Sequence, residues 1–228
     1  NTGLIDTLSR DAITLKQISP TEVDGVINAG QPNQTTVFSY TVDSLGNVTF
    51  TLDRSIENNS SSPIPANSVT LTQTITDGDG GTGSNSVDIS QQFSIIDDKP
   101  LANPDTASVT SGQTVSATAA QGLFSASNTG GADKIGADGP SASGSVVGVE
   151  AGNNPSDVVS TGVGTQISGL YGTLTLNQDG SYSYQANPDT SGLTGIKTDT
   201  FTYTLKDGDG STATSTLAIN VNEVQPAA

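Results

Sequence analysis

The sequence predicts an all-β chain: two tandem antiparallel immunoglobulin-like β-sandwich domains joined by a short acidic linker. Three observations carry this prediction. Apolar residues alternate with Thr and Ser at period two in short runs, and no run has a helical period. Turn residues, chiefly Gly, Asp and Asn, interrupt these runs at regular intervals. The closing hairpin also occurs twice, with Asp77-Gly78-Asp79-Gly80 matching Asp207-Gly208-Asp209-Gly210, and each copy is followed by a second strand and an acidic tail, Asp97-Asp98 in one case and Asn222-Glu223 in the other.

In chain order, Leu4-Ile5 and the run from Ile13 to Ile18 are read as one or two edge strands, broken at Pro20 before Val23. Val37–Val42 and Val48–Leu52 form a hairpin about Asp43-Ser44-Leu45-Gly46-Asn47. A polar loop, 57–67, leads to the strand Val69–Thr76, which turns at Asp77–Gly81 and returns through Val87 to Ile95. Between Asp97 and Asp105 lie three carboxylates and two prolines in nine residues. Proline fixes φ and removes a donor, so this stretch stays extended and joins neither sheet, which sets the domains at 1–97 and 98–228.

In the second half, early strands fall at Val109, Val115–Ala117 and Val146–Val149, separated by a long loop from Ser125 to Ser143, with room for a helical turn at 119–126. Gly172–Leu176 pairs with Ser181–Gln185 around Asn177–Gly180, and Phe201–Leu205 pairs with Thr216–Val221 around Asp207–Gly210.

Composition narrows the function classes. Without cysteine or histidine, disulfides, thiolate metal sites and the familiar nucleophile–base pairs are missing, so no enzymatic role is expected. The net charge is −16, and seven Lys and Arg cannot build a basic stripe, so nucleic acid is not an expected partner. No apolar run is long enough for a membrane helix, and a monomer is expected. Asn1 begins in mid-pattern, and the chain is expected to be a piece of a longer one. Of the 23 acidic residues 19 are Asp, the short carboxylate of turns, and the remaining way to staple a lean core is a hard cation held by oxygen.

Strand parity indicates where such a cation sits. Consecutive strands alternate in direction, so the loop after the second strand of domain two, with Asp133 and Asp138, and the last hairpin turn, with Asp207 and Asp209, fall at the same end as the linker residues Asp97, Asp98 and Asp105. Seven carboxylates that converge either raise each other's pKa or recruit a cation, and Ca²⁺, which takes six to eight oxygens, fits best. Asn103 and backbone carbonyls complete the shell. Asp77 and Asp79 are a further candidate pair, although such a motif alone is more often a plain turn. Asp179-Gly180 reads as a turn. Asp189 and Asp199 read as residues that orient the loop before Phe201 rather than as ligands.

The run Tyr171-Gly172-Thr173-Leu174-Thr175-Leu176-Asn177-Gln178-Asp179-Gly180-Ser181-Tyr182-Ser183-Tyr184, with Thr198–Gly210 behind it, resembles the VCBS and cadherin-like repeats of very large bacterial surface adhesins. Thr76–Gly80 with Phe93–Pro100 is similar to another repeat of the same class of type I-secreted RTX adhesins; the likeness is near complete over 98–222 and partial over 1–97. The resemblance implies a bacterial cell-surface, extracellular, Ca²⁺-stiffened spacer in adhesion or biofilm formation, with neighbouring repeats of the same polypeptide as partners. The RTX nonapeptide is absent. The alternative is a calcium-dependent module that itself binds a surface glycan or protein through the 125–169 region, near which Phe124 and Tyr171 are the aromatic residues.

Overall fold

A computed structural model describes residues 2–57, 64–93, 98–188 and 195–223. The chain divides into two compact units, 1–97 and 98–228, and all regular structure among the described residues is β.

The first unit contains β1 (Ile5–Asp6), β2 (Thr14–Ser19), β3 (Glu22–Ile27), β4 (Thr35–Val42), β5 (Val48–Leu52), β6 (Ile56–Glu57), β7 (Thr70–Thr76) and β8 (Thr82–Asp88). Strands β2-β3-β4-β5 form an antiparallel sheet; β1 pairs with β6, and β7 with β8. The core gathers Leu4, Ile13, Ile27, Val37, Phe38, Tyr40, Ile56, Ile64 and Val69. Phe50 and Phe93 pack on it, with the rings of Tyr40 and Phe50 5.1 Å apart. Sequence reading missed β3 as an inner strand because Gly25 breaks its apolar run. That glycine is a packing requirement, since a Cβ there would lie 2.3 Å from the Phe38 ring. Gly25→Ala is expected to lower the urea midpoint by an amount equivalent to roughly 1–3 kcal/mol, the usual cost of overpacking.

The return strand expected to run on to Ile95 instead ends at Asp88. The Asp88 carboxylate accepts from the Ser90 N–H (2.9 Å), the Ser90 hydroxyl (2.6 Å) and the Asn67 N–H (2.9 Å), which turns the chain out of the ladder. Residues 94–97 lie outside the described residues.

The second unit contains β9 (Asp105–Thr110), β10 (Thr114–Ala117), β11 (Val146–Ala151), β12 (Gln166–Ser168), β13 (Gly172–Leu176), β14 (Tyr182–Ala186), β15 (Gly195–Lys206) and β16 (Thr212–Glu223). Two four-stranded sheets, β11-β15-β16-β9 and β10-β14-β13-β12, face each other across one core. Leu174, Leu176 and Tyr184 contribute from one sheet; Val149, Phe201, Tyr203, Leu205, Leu217 and Ile219 contribute from the other. All pairings are antiparallel except that of β9, which lies parallel to β16 with Asp105 level with Leu217. That exception departs from the purely antiparallel expectation. A first strand that enters at the end where the last hairpin turns must run alongside β16 in the same direction.

Between Ala117 and Val146 the chain makes turns rather than a helix. The segment 152–161 covers the outer face of β15: Asn154 N–H and Val159 N–H donate to the hydroxyls of Thr202 and Thr204, both at 2.9 Å. This explains how Thr202 and Thr204 are buried although they point away from the core.

Candidate metal centre

The turn after β15 is built by its own side chains. Asp207 Oδ1 accepts from Gly210 N–H at 3.0 Å, and Asp209 Oδ1 from Ser211 N–H at 2.9 Å. From the other side, residues 138–140 dock on this turn: Gly208 N–H donates to the Gly139 carbonyl at 2.9 Å, and Pro140 bridges to Asp207. The result brings one oxygen each from Asp138, Asp207 and Asp209 within 4.8 Å of one another. Asp207 is 1% exposed, and its Oδ2 has no hydrogen-bond partner. Burial, followed by Asp209 and Asp138, raises its pKa.

A buried carboxylate with one oxygen lacking a donor, clustered with two more carboxylates, is the arrangement a hard cation would complete. The donor set is oxygen only, which fits Ca²⁺ better than zinc or copper. Bound there, the ion would supply positive charge that ties the 138–140 segment to the last hairpin. Asp98 lies beside this cluster, its Oδ2 accepting from Ala137 N–H at 2.5 Å. Asp97 lies outside the described residues.

The other expected ligands are placed differently. Asp105 and Asp133 are both buried, 3% and 4% exposed, and near enough for their charges to repel. Asp133 accepts from Asn103 N–H at 2.7 Å and from the Tyr203 hydroxyl at 2.8 Å. The Asn103 side chain is turned away, donating to the Ala132 carbonyl. One convergent site was expected, and the described residues form two groups. The reason is depth: Asp105 is level with Leu217, which pairs with Phe201, six residues before Asp207, or about 20 Å along an extended strand. Strand parity placed both at the correct end without saying how far down each one sits. Tyr203 was not recognised as part of any site, since its place in the alternating Phe201–Leu205 run marks it only as core.

Asp77 and Asp79 lie in the first unit on the exposed β7–β8 hairpin. Asp77 Oδ1 accepts from Gly81 N–H at 2.7 Å, and the hydrogen bond with Asp79 together with that N–H holds its pKa below the usual range. The described residues place no third carboxylate with them. The same four-residue motif is thus a satisfied turn in one unit and a strained carboxylate cluster in the other. Asp199 was expected to orient the loop before Phe201; it lies instead within β15 and holds the turn before β13, accepting from Leu170 N–H (2.8 Å), Tyr171 N–H (3.0 Å) and the Tyr184 hydroxyl (2.6 Å). Asp189 lies outside the described residues.

Comparison with known families decides the class. The model of the bacterial cadherin-like domain matches residues 97–223, more than half of the chain. The chain belongs to the bacterial cadherin-like domain family. The two-sheet unit described above is this cadherin-like domain, and both acidic groups lie within it. Residues 1–90 match a domain of unknown function, DUF5801. No curated protein matches the chain. Among solved structures, that of mouse clustered PcdhgC3 EC1-3 is similar at 14% identity with a TM-score of 0.32, covering 81% of this chain and 51% of that one. The chain therefore spans about half the length of that structure.

Proposed function

We propose that the chain is a calcium-stiffened spacer of a bacterial cell-surface adhesin, of the type I-secreted RTX class that its repeats resemble, with neighbouring repeats of the same polypeptide as its partners. The observation that supports this reading most directly is Asp207, a buried carboxylate with an unpartnered oxygen that clusters with Asp138 and Asp209 in a cadherin-like domain. A divalent cation there offsets the repulsion among three carboxylates and removes the freedom of the loop and turn that carry them. The linker residue Asp98, which accepts from the Ala137 N–H next to Asp138, connects that stiffening to the linker. Small-angle scattering of the 228-residue chain tests it. Added calcium is expected to narrow the distribution of interdomain distances and chelator to broaden it again; superimposable profiles would refute the spacer mechanism.

A second reading, a calcium-dependent ligand-binding module, draws on one observation. A groove of about 690 Å³ runs beside the cluster, bordered by Ser141, Val147, Val158, Val163, Gln178 and Lys206. No aromatic ring lines it, so a sugar would lack a stacking platform, and part of the 125–169 region expected to form such a site is pinned to β15. Calcium-dependent retention on a glycan array would favour this reading over the spacer.

A further inference from the structure

We infer that the Asp105–Asp133 pair is a second, internal cation site of the cadherin-like domain, separate from the Asp138/Asp207/Asp209 cluster and suited to a hard divalent ion such as Ca²⁺. Asp105 stands at the start of β9 with its side chain in the interior; the Tyr203 hydroxyl and the Asn128 amide lie near it, but their hydrogen bonds go to other acceptors and neither Asp105 oxygen receives one. Asp133, beside it, is satisfied by the Asn103 N–H and the Tyr203 hydroxyl, so it has no proton to offer as an ionised group. Among the described residues no Lys or Arg forms an ion pair with either carboxylate. An uncompensated buried carboxylate costs several kcal/mol, roughly, and a second one next to it adds repulsion.

The oxygens gathered here suit a hard ion. Two come from Asp105 and two from Asp133; the Tyr203 hydroxyl, whose one proton goes to Asp133, and the Asn103 carbonyl 2.8 Å from that hydroxyl lie with them. Two carboxylates neutralise a divalent charge. The pair also joins three distant segments: β9, the loop that continues to Asp138, and β15. An ion held there fixes the base of the loop whose tip carries a ligand of the outer cluster.

The test uses the full 228-residue chain carrying Asp77→Asn, Asp207→Asn and Asp209→Asn, which removes the other acidic motifs. After chelation and dialysis it is titrated with Ca²⁺ by calorimetry and with Tb³⁺ by tyrosine-sensitised luminescence, because Tyr203 lies against Asp133. One bound ion and sensitised emission are expected, and adding Asp105→Asn should abolish both, the emission falling about tenfold or more as the oxygen ligands are lost. Zero bound ions in the triple variant, or one ion that survives Asp105→Asn, overturns the inference. Should Asp105→Asn not fold by circular dichroism, the triple variant still decides: one ion with tyrosine-sensitised emission supports the inner site, and none refutes it. The outer site is read separately, from the difference in bound ions between the unaltered chain and Asp207→Asn/Asp209→Asn.

Discussion

Replacing Arg54 by Ala is expected to destabilise the first unit by roughly 3 kcal/mol, read as a lowered midpoint in urea unfolding. Asp6 is fully buried and receives Arg54 Nε and Nη2, each at 2.8 Å, in a two-pronged ion pair. The pair pins β1 to the chain just before β6, closing the small strand pair over the core. Removing only the cation leaves a buried carboxylate without its counter-charge, which typically costs about 3–5 kcal/mol; the lower figure applies because Ser9 still donates through its N–H (2.9 Å) and hydroxyl (2.7 Å). Burial raises the Asp6 pKa, but the hydrogen bonds from Arg54 and Ser9 outweigh it, and the net shift is downward from 3.8. A carboxyl depressed in the folded state contributes stability above its unfolded pKa and loses it as pH falls through the folded value. The unaltered unit should therefore weaken from about pH 4 downward, and Asp6→Asn, already uncharged, should show a flatter acid limb. An Arg54→Ala chain with an unchanged midpoint would show that the ion pair contributes nothing.

The fold was legible because strand alternation is a local property. The hairpins at Asp43–Asn47, Asn177–Gly180 and Asp207–Gly210 could be read directly, since each joins runs whose side chains already alternate. The misses have a common cause. β3 contains Gly25 and β12 is three residues long, so neither carries an apolar pattern that separates it from loop. Their strand character comes from neighbours: Gly25 exists to admit Phe38, and Gln166–Ser168 is held by β13. The parallel placement of β9 is likewise a tertiary decision that its six residues do not encode.

The acidic groups were legible by end but not by depth. Parity identifies which loops share one end of a sandwich, and it brought Asp138 to Asp207 and Asp209 as expected. Depth depends on register across β16 and on side-chain direction, which place Asp105 and Asp133 lower down in the interior. The duplicated Asp-Gly turn carries a similar lesson. Asp77 and Asp207 occupy equivalent positions in their hairpins, yet their pKa values move in opposite directions, down at the solvated turn and up at the buried one. What differs is a third carboxylate and the removal of water, and both are supplied by residues 138–140, which have no counterpart described beside Asp77.

That contrast yields a substitution whose effect should reverse sign with calcium. In chelator, Asp207→Asn is expected to stabilise the cadherin-like domain by about 1–2 kcal/mol, because it removes a buried charge repelled by Asp209 and Asp138 and provides an amide that can donate to them. In calcium at about a hundred times the dissociation constant, the unaltered domain gains roughly 2.7 kcal/mol by linkage, and the variant, short of one carboxylate ligand, forfeits most of that gain. The melting curves of the two chains should therefore cross in order: variant above wild type without calcium, and below it with calcium. Asp77→Asn, which alters an exposed and satisfied turn, should leave both orders as they are in the wild type. A variant that is less stable under both conditions would make Asp207 a turn residue like Asp77, whereas the crossing is expected only if its unpartnered oxygen faces a cation.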